Sequence, residues 1–343
     1  MKTIDELLPL LQQPQKIAIT FHFNADADAL GSSLGLCHYF RKKGHEVSVI
    51  APNEIPDFIQ WMPGFKDVII FEKNAQQVNE VLLEADLLFC LDFNHLSRTK
   101  ILETTLQSFT KTKVMIDHHL MPDTSFEYGI SNAQKSSTCE MVYDFIQLNH
   151  DNDLIDIDIA KCLYAGLMTD TGSFKFPATT AGCHRMVADL MDKGLEPAPI
   201  HQAIFDTFQE NRLRFLGFVL SERLTLIPEL HAAIIAVSRE DLNRFHINTG
   251  DTEGIVNYPL SIKNIIFSTF ISQRENENRM SFRSKGKLNV NEFARTHFNG
   301  GGHANASGGR STISLQETVQ QVKSALLENK TNITACYNEL IAF

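Results

Sequence analysis

An α/β fold in two domains is what this sequence predicts, and three observations lead there. The 343 residues exceed the length at which one hydrophobic core usually stops growing. The first half alternates short apolar runs with helix-like segments, as βαβ units around a mostly parallel sheet do. After Leu224 the texture changes to a second set of strand-like runs and amphipathic helices. The expected architecture is a mostly parallel N-terminal sheet with helices on both faces (residues 1–194), a helical connector (195–223) and a smaller α/β C-terminal domain (224–343).

KIAITFHF is strand-like and leads into the helix-like LGSSLGLCHYFRKKG, then the strand-like EVSVIAP. VIIF, the helical NAQQVNEVLLEA, LLFCLDF, the helical ILETTLQSF and KVMIDHH continue the alternation. From Thr138 to about Gly194 the chain reads as several helices, among them STCEMVYDFIQL and HRMVADLMDKG. HQAIFDTFQENRLRFLGFVLSER has helical periodicity and no strand alternation. LTLIPELHAAIIAVS, NIIFSTFISQ and NRMSFRSKG supply the strands of the second domain. NVNEFARTHF, starting at Asn289 or Asn291, and QETVQQVKSALLENK supply its helices.

Composition excludes several classes. Apolar content of 43% and charged content of 21% describe an ordinary globular protein rather than a disordered one. A net charge of -10 argues against gripping long duplex DNA through a broad basic face. Short anionic substrates fit if metals and a few basic side chains supply positive charge locally. The opening MKTIDELLPLLQQ carries acids within its apolar stripe, unlike a signal peptide, and no run approaches the roughly 18 apolar residues that span a bilayer. A cytoplasmic protein with no membrane partner is expected. Cys37, Cys90, Cys139, Cys162, Cys183 and Cys336 form no Cys-x-x-Cys pair and read as reduced structural thiols. Apolar surface between Thr138 and Leu190 leaves room for a homodimer.

Asp and His residues punctuate the ends of the apolar runs. His22, Asn24, Asp26 and Asp28 follow KIAITF, Asp92 ends LLFCL, Asp117-His118-His119 follow KVMI, and Asp170 closes CLYAGLMTD. In a parallel sheet such strand ends converge on one crevice. His22, Asp26, Asp28, Asp92, His118 and Asp170 together make a shell for two divalent cations, and the two oxygens of Asp92 allow it to bridge them. Taken singly, Asp28 and Asp92 also read as helix caps, and His118 as a satisfied core histidine. Gly31, Ser32 and Ser33, near the start of the next helix, could offer N–H groups to an anion. Four carboxylates, two imidazoles and no thiolate suit manganese better than zinc or magnesium. Two such ions can activate a hydroxide for hydrolysis at phosphorus.

These motifs in this order resemble the signature motifs of the DHH phosphoesterase superfamily, and Gly300-Gly301-Gly302-His303 resembles that of the DHH-associated C-terminal domain. The resemblance implies one metal on His22, Asp26 and Asp92 and another on Asp28, Asp92, His118 and Asp170. It implies that Asp117 orients an imidazole and that His119 meets the scissile phosphate or helps proton transfer, so that His118, His119, Asp92 and Asp117 form the catalytic set. Arg283, Ser284, Gly301, Gly302 and His303, with Lys285 and Arg310 near them, would hold the nucleotide or terminal phosphate, and Arg98 would reach it from the mouth of the site. Without that context, the glycine triplet reads as a flexible turn, and Arg98 equally as a solvated cation. Asn24 orients substrate or braces its loop, Ser173 and Lys175 contact substrate or solvent, and Trp61 stacks a base or, the better reading, anchors in the core.

Within the superfamily, the compact two-domain form is most similar to nanoRNase-type oligoribonucleases that also act on 3'-phosphoadenosine 5'-phosphate. Short oligonucleotides or nucleoside bisphosphates are therefore the expected partners, with nucleoside 5'-monophosphates and AMP as products. The alternatives are a linear or cyclic dinucleotide phosphodiesterase, a short-chain exopolyphosphatase, and, in a different class, a non-catalytic nucleotide-binding module.

Overall fold

The computed structural model describes residues 1–207, 209–248 and 250–342. The chain divides into two compact units, Met1–Thr207 and the remainder. The first is built on a six-stranded, wholly parallel sheet: β1 (Lys16–Phe21), β2 (Glu46–Ala51), β3 (Ile69–Ile70), β4 (Leu87–Leu91), β5 (Thr112–Asp117) and β6 (Tyr128–Ser131). Their spatial order is β3-β2-β1-β4-β5-β6. After β3 the chain returns to the far side of β1, so the switch in strand order falls between β1 and β4. That is where ligands enter open α/β sheets.

Strand alternation builds two cores from one sheet. Ile17, Ile19, Phe21, Leu87, Phe89, Val114 and Ile116 join the large core that holds α1 (Ala27–Lys42), while Ala18, Leu88, Cys90 and Met115 join a smaller one on the opposite face. The smaller core packs against α2 (Phe71–Glu84) and α3 (Glu103–Gln107). The large core also takes α4 (Thr138–Leu148), α5 (Ile157–Asp170), α6 (Ala181–Asp192) and α7 (Pro197–Phe205). Helices on both faces of a parallel sheet are thus present as expected. The short β6, at the sheet's edge, was not anticipated.

The expected connector is helical in two pieces. Ile200 and Ile204 of α7 pack into the first unit's core, whereas Phe215 of α8 (Glu210–Phe218) and Val219 beyond it pack into the second unit. That second unit has a mixed sheet in the order β11-β12-β10-β9-β8-β7. The strands are β7 (Leu224–Ile227), β8 (Ala232–Val237), β9 (Phe267–Gln273), β10 (Asn278–Ser284), β11 (Gly301–Gly302) and β12 (Ala306–Ser311), with only β8 and β9 parallel. Three helices, α10 (Val290–Phe298), α11 (Leu315–Glu328) and α12 (Lys330–Ile341), meet one face through Val290, Phe293, Phe298, Val322 and Ile333. On the other face Phe215, Val256 and α9 (Arg239–Arg244), through Leu242, cover β8 and β9. Asn289 caps α10, in agreement with one of the two starts expected. The Gly- and Ser-rich ASGGRS is an unexpected strand, held by six partners on β10. No helix among the described residues is long and apolar enough to cross a membrane.

Close approach of α1 to α5 depends on glycine. A Cβ on Gly31 would lie 2.4 Å from the Cys162 carbonyl oxygen, and one on Gly166 only 2.8 Å from Cα of Asp28. Gly31→Ala should therefore destabilise by about 1–3 kcal/mol through overpacking. Gly217→Ala, in α8 with no atom within 4 Å of the added carbon, should stabilise by about 0.5–1 kcal/mol instead. Urea unfolding of the two variants checks the opposite signs, and a stabilised Gly31→Ala would refute the tight packing of the two helices.

Candidate metal centre

Each strand around the switch point ends in a side chain of the site. His22 follows β1, Asp92 follows β4, and Asp117 closes β5 ahead of His118 and His119. Asp92 takes the left-handed conformation, φ 61°, which Asp tolerates better than most residues. Its N–H donates to Ile116 O at 3.1 Å, so the turn is anchored on the neighbouring strand. Asn24 is also left-handed, φ 60°, and its amide is paired with that of Asn53 through both side chain and backbone. Of its two readings, the structure shows the loop brace. Trp61 donates to Phe58 O at 2.9 Å and packs on the large core, which is the anchor reading.

Asp170 corrects the strand-end pattern. It is the last residue of α5, and the close packing of α5 on α1 carries it to the N-terminus of α1. The segment from Thr138 to about Gly194 reads as helical in the sequence, so only the grouping of Asp170 with the strand ends is corrected. Gly31, Ser32 and Ser33 are a second correction. They lie inside α1 and are fully buried, with the Ser32 hydroxyl donating to Asp28 O at 2.7 Å. Nor does Asp28 cap α1. Asp26 does, its Oδ1 accepting from the N–H groups of Asp28 and Ala29 at 3.0 and 2.9 Å.

Asp28 instead points into the start of α4. Its carboxylate accepts from the N–H of Thr138 at 2.7 Å and of Cys139 at 2.8 Å. An anion at a helix N-terminus is stabilised there, but the anion is a side chain of the protein. Thr138 and Cys139 were not anticipated as site residues. The signal was present: Ser137-Thr138-Cys139-Glu140 has the spacing of a helix start, and the Ser137 hydroxyl accepts from Glu140 N–H at 3.0 Å. The Thr138 hydroxyl donates to Asp92 Oδ1 at 3.0 Å.

Six of the predicted side chains converge in two groups that share Asp92. His22 Nε2 lies 3.3 Å from Asp92 Oδ2 and 3.6 Å from Asp26 Oδ2. His118 Nε2 lies 3.4 Å from Asp92 Oδ1, 3.5 Å from Asp170 Oδ2 and 3.7 Å from Asp28 Oδ2. Backbone carbonyls set the ring orientations: His22 Nδ1–H donates to Phe23 O at 3.0 Å and His118 Nδ1–H to Lys135 O at 3.3 Å. Both Nε2 atoms are thereby aimed at carboxylate oxygens, as ligands of one ion would be. Asp117, fully buried, accepts from His119 Nδ1–H at 2.7 Å and His119 N–H at 3.1 Å. The imidazole it orients is that of His119, not that of His118.

The electrostatics fit a cation site. Burial and the Asp92 charge push Asp28 up to about 7, and burial with Asp28 and Asp26 holds Asp170 well above the carboxylate range. Burial opposes charge on His22, but Asp26 and Asp92 outweigh it and push the ring up to about 10. Burial likewise opposes charge on Asp92, but His118 and His22 outweigh it and hold the carboxyl well below its ordinary value. Two divalent charges would offset the carboxylates.

The substrate-binding candidates of the second unit lie on its β10 to β12 hairpins. Arg283, half-buried on β10, donates from Nη1 to Phe282 O at 3.0 Å. The Ser284 hydroxyl donates to Leu288 O at 2.5 Å and accepts from Asn305 Nδ2 at 2.9 Å, so it fixes the turn that follows β10. Gly301 and Gly302 form β11 rather than a flexible turn, and Asn291 holds the Gly302 carbonyl. His303 closes the tight turn to β12, its N–H donating to Ala306 O at 2.7 Å. In the first unit Arg98 is half-buried, and its carbonyl accepts from Phe23 N–H at 2.9 Å, beside His22. Ser173 is exposed in a left-handed turn after α5, with its hydroxyl near Met168 Sδ, and Lys175 is exposed two residues on.

A carboxylate and imidazole cluster at the switch point of an open α/β sheet offers ligands for metal ions of the kind that hydrolases use. Residues 16–167 match the DHH family N-terminal domain and residues 230–328 the DHHA1 domain. The chain belongs to the DHH family and is a phosphoesterase of it. It is 27% identical over 340 residues to the bifunctional oligoribonuclease and PAP phosphatase NrnA of Thermus thermophilus, covering 96% of this chain and 94% of that protein. The Bacillus subtilis protein of the same name is 26% identical, covering 90% and 92%. The crystal structure of an exopolyphosphatase-related protein from Bacteroides fragilis superposes with a TM-score of 0.92 at 37% identity, covering 96% of this chain and 97% of that one.

Metal loading should release protons. In the metal-free site His22 keeps its proton up to about pH 10 and Asp28 up to about pH 7, and both must lose it to become ligands. Apparent affinity for manganese should then rise as pH increases from about 6 to 9. Calorimetry in buffers of different ionisation heat reads the protons directly, and zero net release at about pH 7 would contradict the site.

Proposed function

We propose that this phosphoesterase uses manganese to hydrolyse very short oligonucleotides to nucleoside 5'-monophosphates, and that it also converts 3'-phosphoadenosine 5'-phosphate to AMP. The observation that carries the reading is Asp92, whose Oδ2 faces His22 and whose Oδ1 faces His118. One carboxylate serving two ligand groups is the arrangement that a pair of cations requires. His22, Asp26 and Asp92 would hold one ion, and Asp28, Asp92, His118 and Asp170 the other. Bound there, the pair supplies Lewis-acid stabilisation of phosphoryl charge and a water acidified enough to attack at neutral pH.

The remaining roles belong to side chains. Asp117 fixes the His119 ring, so that His119 can hold or pass a proton at the phosphate or leaving oxygen. Arg98 in the first unit and Arg283 in the second carry positive charge for phosphate, Gly301 lets backbone approach it closely, and Gly302 shapes the turn that presents His303. Ser284 acts through the turn it braces. The substrate class is supported by the names of the Thermus thermophilus and Bacillus subtilis relatives, which span nearly all of the chain. The exopolyphosphatase-related relative favours a second reading, short polyphosphate, at the same centre.

Incubating the protein and manganese with dinucleotide, pentanucleotide, 3'-phosphoadenosine 5'-phosphate and short polyphosphate ranks these substrates by kcat/KM. Failure on every phosphoester refutes the proposal. Asp92→Asn and His118→Ala should abolish turnover and weaken manganese binding. Asp117→Asn should lower kcat about 10- to 100-fold and change the pH profile while leaving manganese affinity nearly intact. Normal kcat in Asp117→Asn would remove the assigned role of His119.

A further inference from the structure

Five glycines in the β11 and β12 hairpin divide into two groups. A Cβ on Gly300 would lie 2.0 Å from Gly308 O, one on Gly302 2.6 Å from Ala306 O, and one on Gly309 2.9 Å from Phe298 Cβ. Packing inside the unit explains these three. Gly301 and Gly308 lack such a reason: a Cβ on Gly301 meets nothing within 4 Å, and one on Gly308 meets only Met280 O at an ordinary 3.5 Å. Neither has a positive φ. They are cross-strand partners and both are exposed. Glycine within a strand weakens it relative to Ala, and one without an internal cause leaves the backbone open to close approach from outside.

The surroundings say what approaches. Ser281 pairs with Gly308, and Arg279 and Arg283 lie two residues to either side of Ser281, so all share the face of Gly301 and Gly308. Arg310 pairs directly with Arg279 and is exposed. Arg279 bonds Glu277 at 3.0 Å and stays 61% exposed, while Arg310 has no ion pair among the described residues. Like charges directly opposite each other destabilise a sheet. On β8 and β9 the same face is sealed by Ile235, Val237 and Phe270 in an apolar cluster, so the open part is confined to β10, β12 and β11. A bare backbone floor with cations at both ends suits a flat, polyanionic chain.

We propose, building on the oligonucleotide reading above, that this face is a track for a short single strand. Sugars or bases lie on the Gly301–Gly308 floor, and the Arg279–Arg310 pair holds a phosphate beyond the one at Arg283. From residue 279 to 283 the strand spans roughly 13 Å at ~3.3 Å per residue. That is on the order of four stacked nucleotide steps at ~3.4 Å each. A pentanucleotide reaches both ends of the track, whereas a dinucleotide does not.

The test compares kcat/KM for diadenylate and pentaadenylate in the intact enzyme, Arg279→Gln/Arg310→Gln and Gly308→Val, with thermal melts of each. The pentamer-to-dimer ratio should fall about five- to tenfold in the double variant, and the salt slope for the pentamer should shrink by about 0.7 for each phosphate no longer neutralised. Gly308→Val, whose Cβ meets nothing closer than Met280 O at 3.5 Å, should lower pentamer turnover without lowering Tm. An unchanged ratio in the double variant, with the intact enzyme cleaving both oligomers, overturns the track alone. An intact enzyme that cleaves neither overturns the oligonucleotide reading as well.

Discussion

The seating of the Asp28 carboxylate on the first turn of α4 is the interaction on which the site depends. It joins the N-terminus of α1 to the N-terminus of α4 through the backbone of Thr138 and Cys139. It also places a fully buried negative charge beside Asp92 and Asp170, each of which raises the cost of the others. The α4 dipole, equivalent to roughly half a charge, offsets only part of that cost. The imbalance explains why Asp28 and Asp170 are pushed up together, and why the arrangement suits bound cations. Space for it comes from Gly166, where any larger residue would meet Asp28 itself.

Asp92 divides the charge. Its left-handed turn at the end of β4 faces one oxygen toward the β1 loop and the other toward the β5 loop, and the Thr138 hydroxyl fixes the second. Asp26 is used twice in the same economical manner, with one oxygen capping α1 and the other facing His22. Helix start and ligand geometry are therefore coupled at residue 26. Removing that carboxylate would loosen the first turn of α1 and, with it, the path of Asp28. His119 stands apart, because its ring is held by Asp117 rather than by a backbone carbonyl. The carboxylate fixes both the tautomer and the direction of that ring, leaving its Nε2 as the nitrogen that can meet substrate.

The fold and the convergence of the Asp and His side chains were legible in the sequence for a common reason. Parallel strands buried on both faces must be apolar runs, and a polar residue at the end of such a run has little to do but face the crevice. What sequence could not supply was the partner of each carboxylate. Asp28 was readable as a cap of its own helix, but the cap is Asp26 and the partner of Asp28 lies 110 residues away at Thr138. Asp170 lies in a stretch that reads as helical, and what the sequence could not show is that the close packing of α5 on α1 carries it to the strand ends. The strand at residues 306–311 was hidden because Gly and Ser carry no strand preference, and pairing with six residues of β10 on one side and two of β11 on the other imposes the conformation.

The glycines of the two units show that one residue type answers to opposite constraints. Gly31 and Gly166 are small because the protein's own helices press on them, and their removal is a matter of stability. Gly301 and Gly308 are small with nothing pressing from within, so whatever selects them comes from solution. The same contrast governs charge. A chain with net charge -10 repels polyanions at long range, and the repulsion grows with the length of the strand that approaches. Within the second unit the Arg279–Arg310 pair and Arg283 set local positive charge against that long-range field, and such a local attraction acts on a few phosphates while the repulsion acts on all of them.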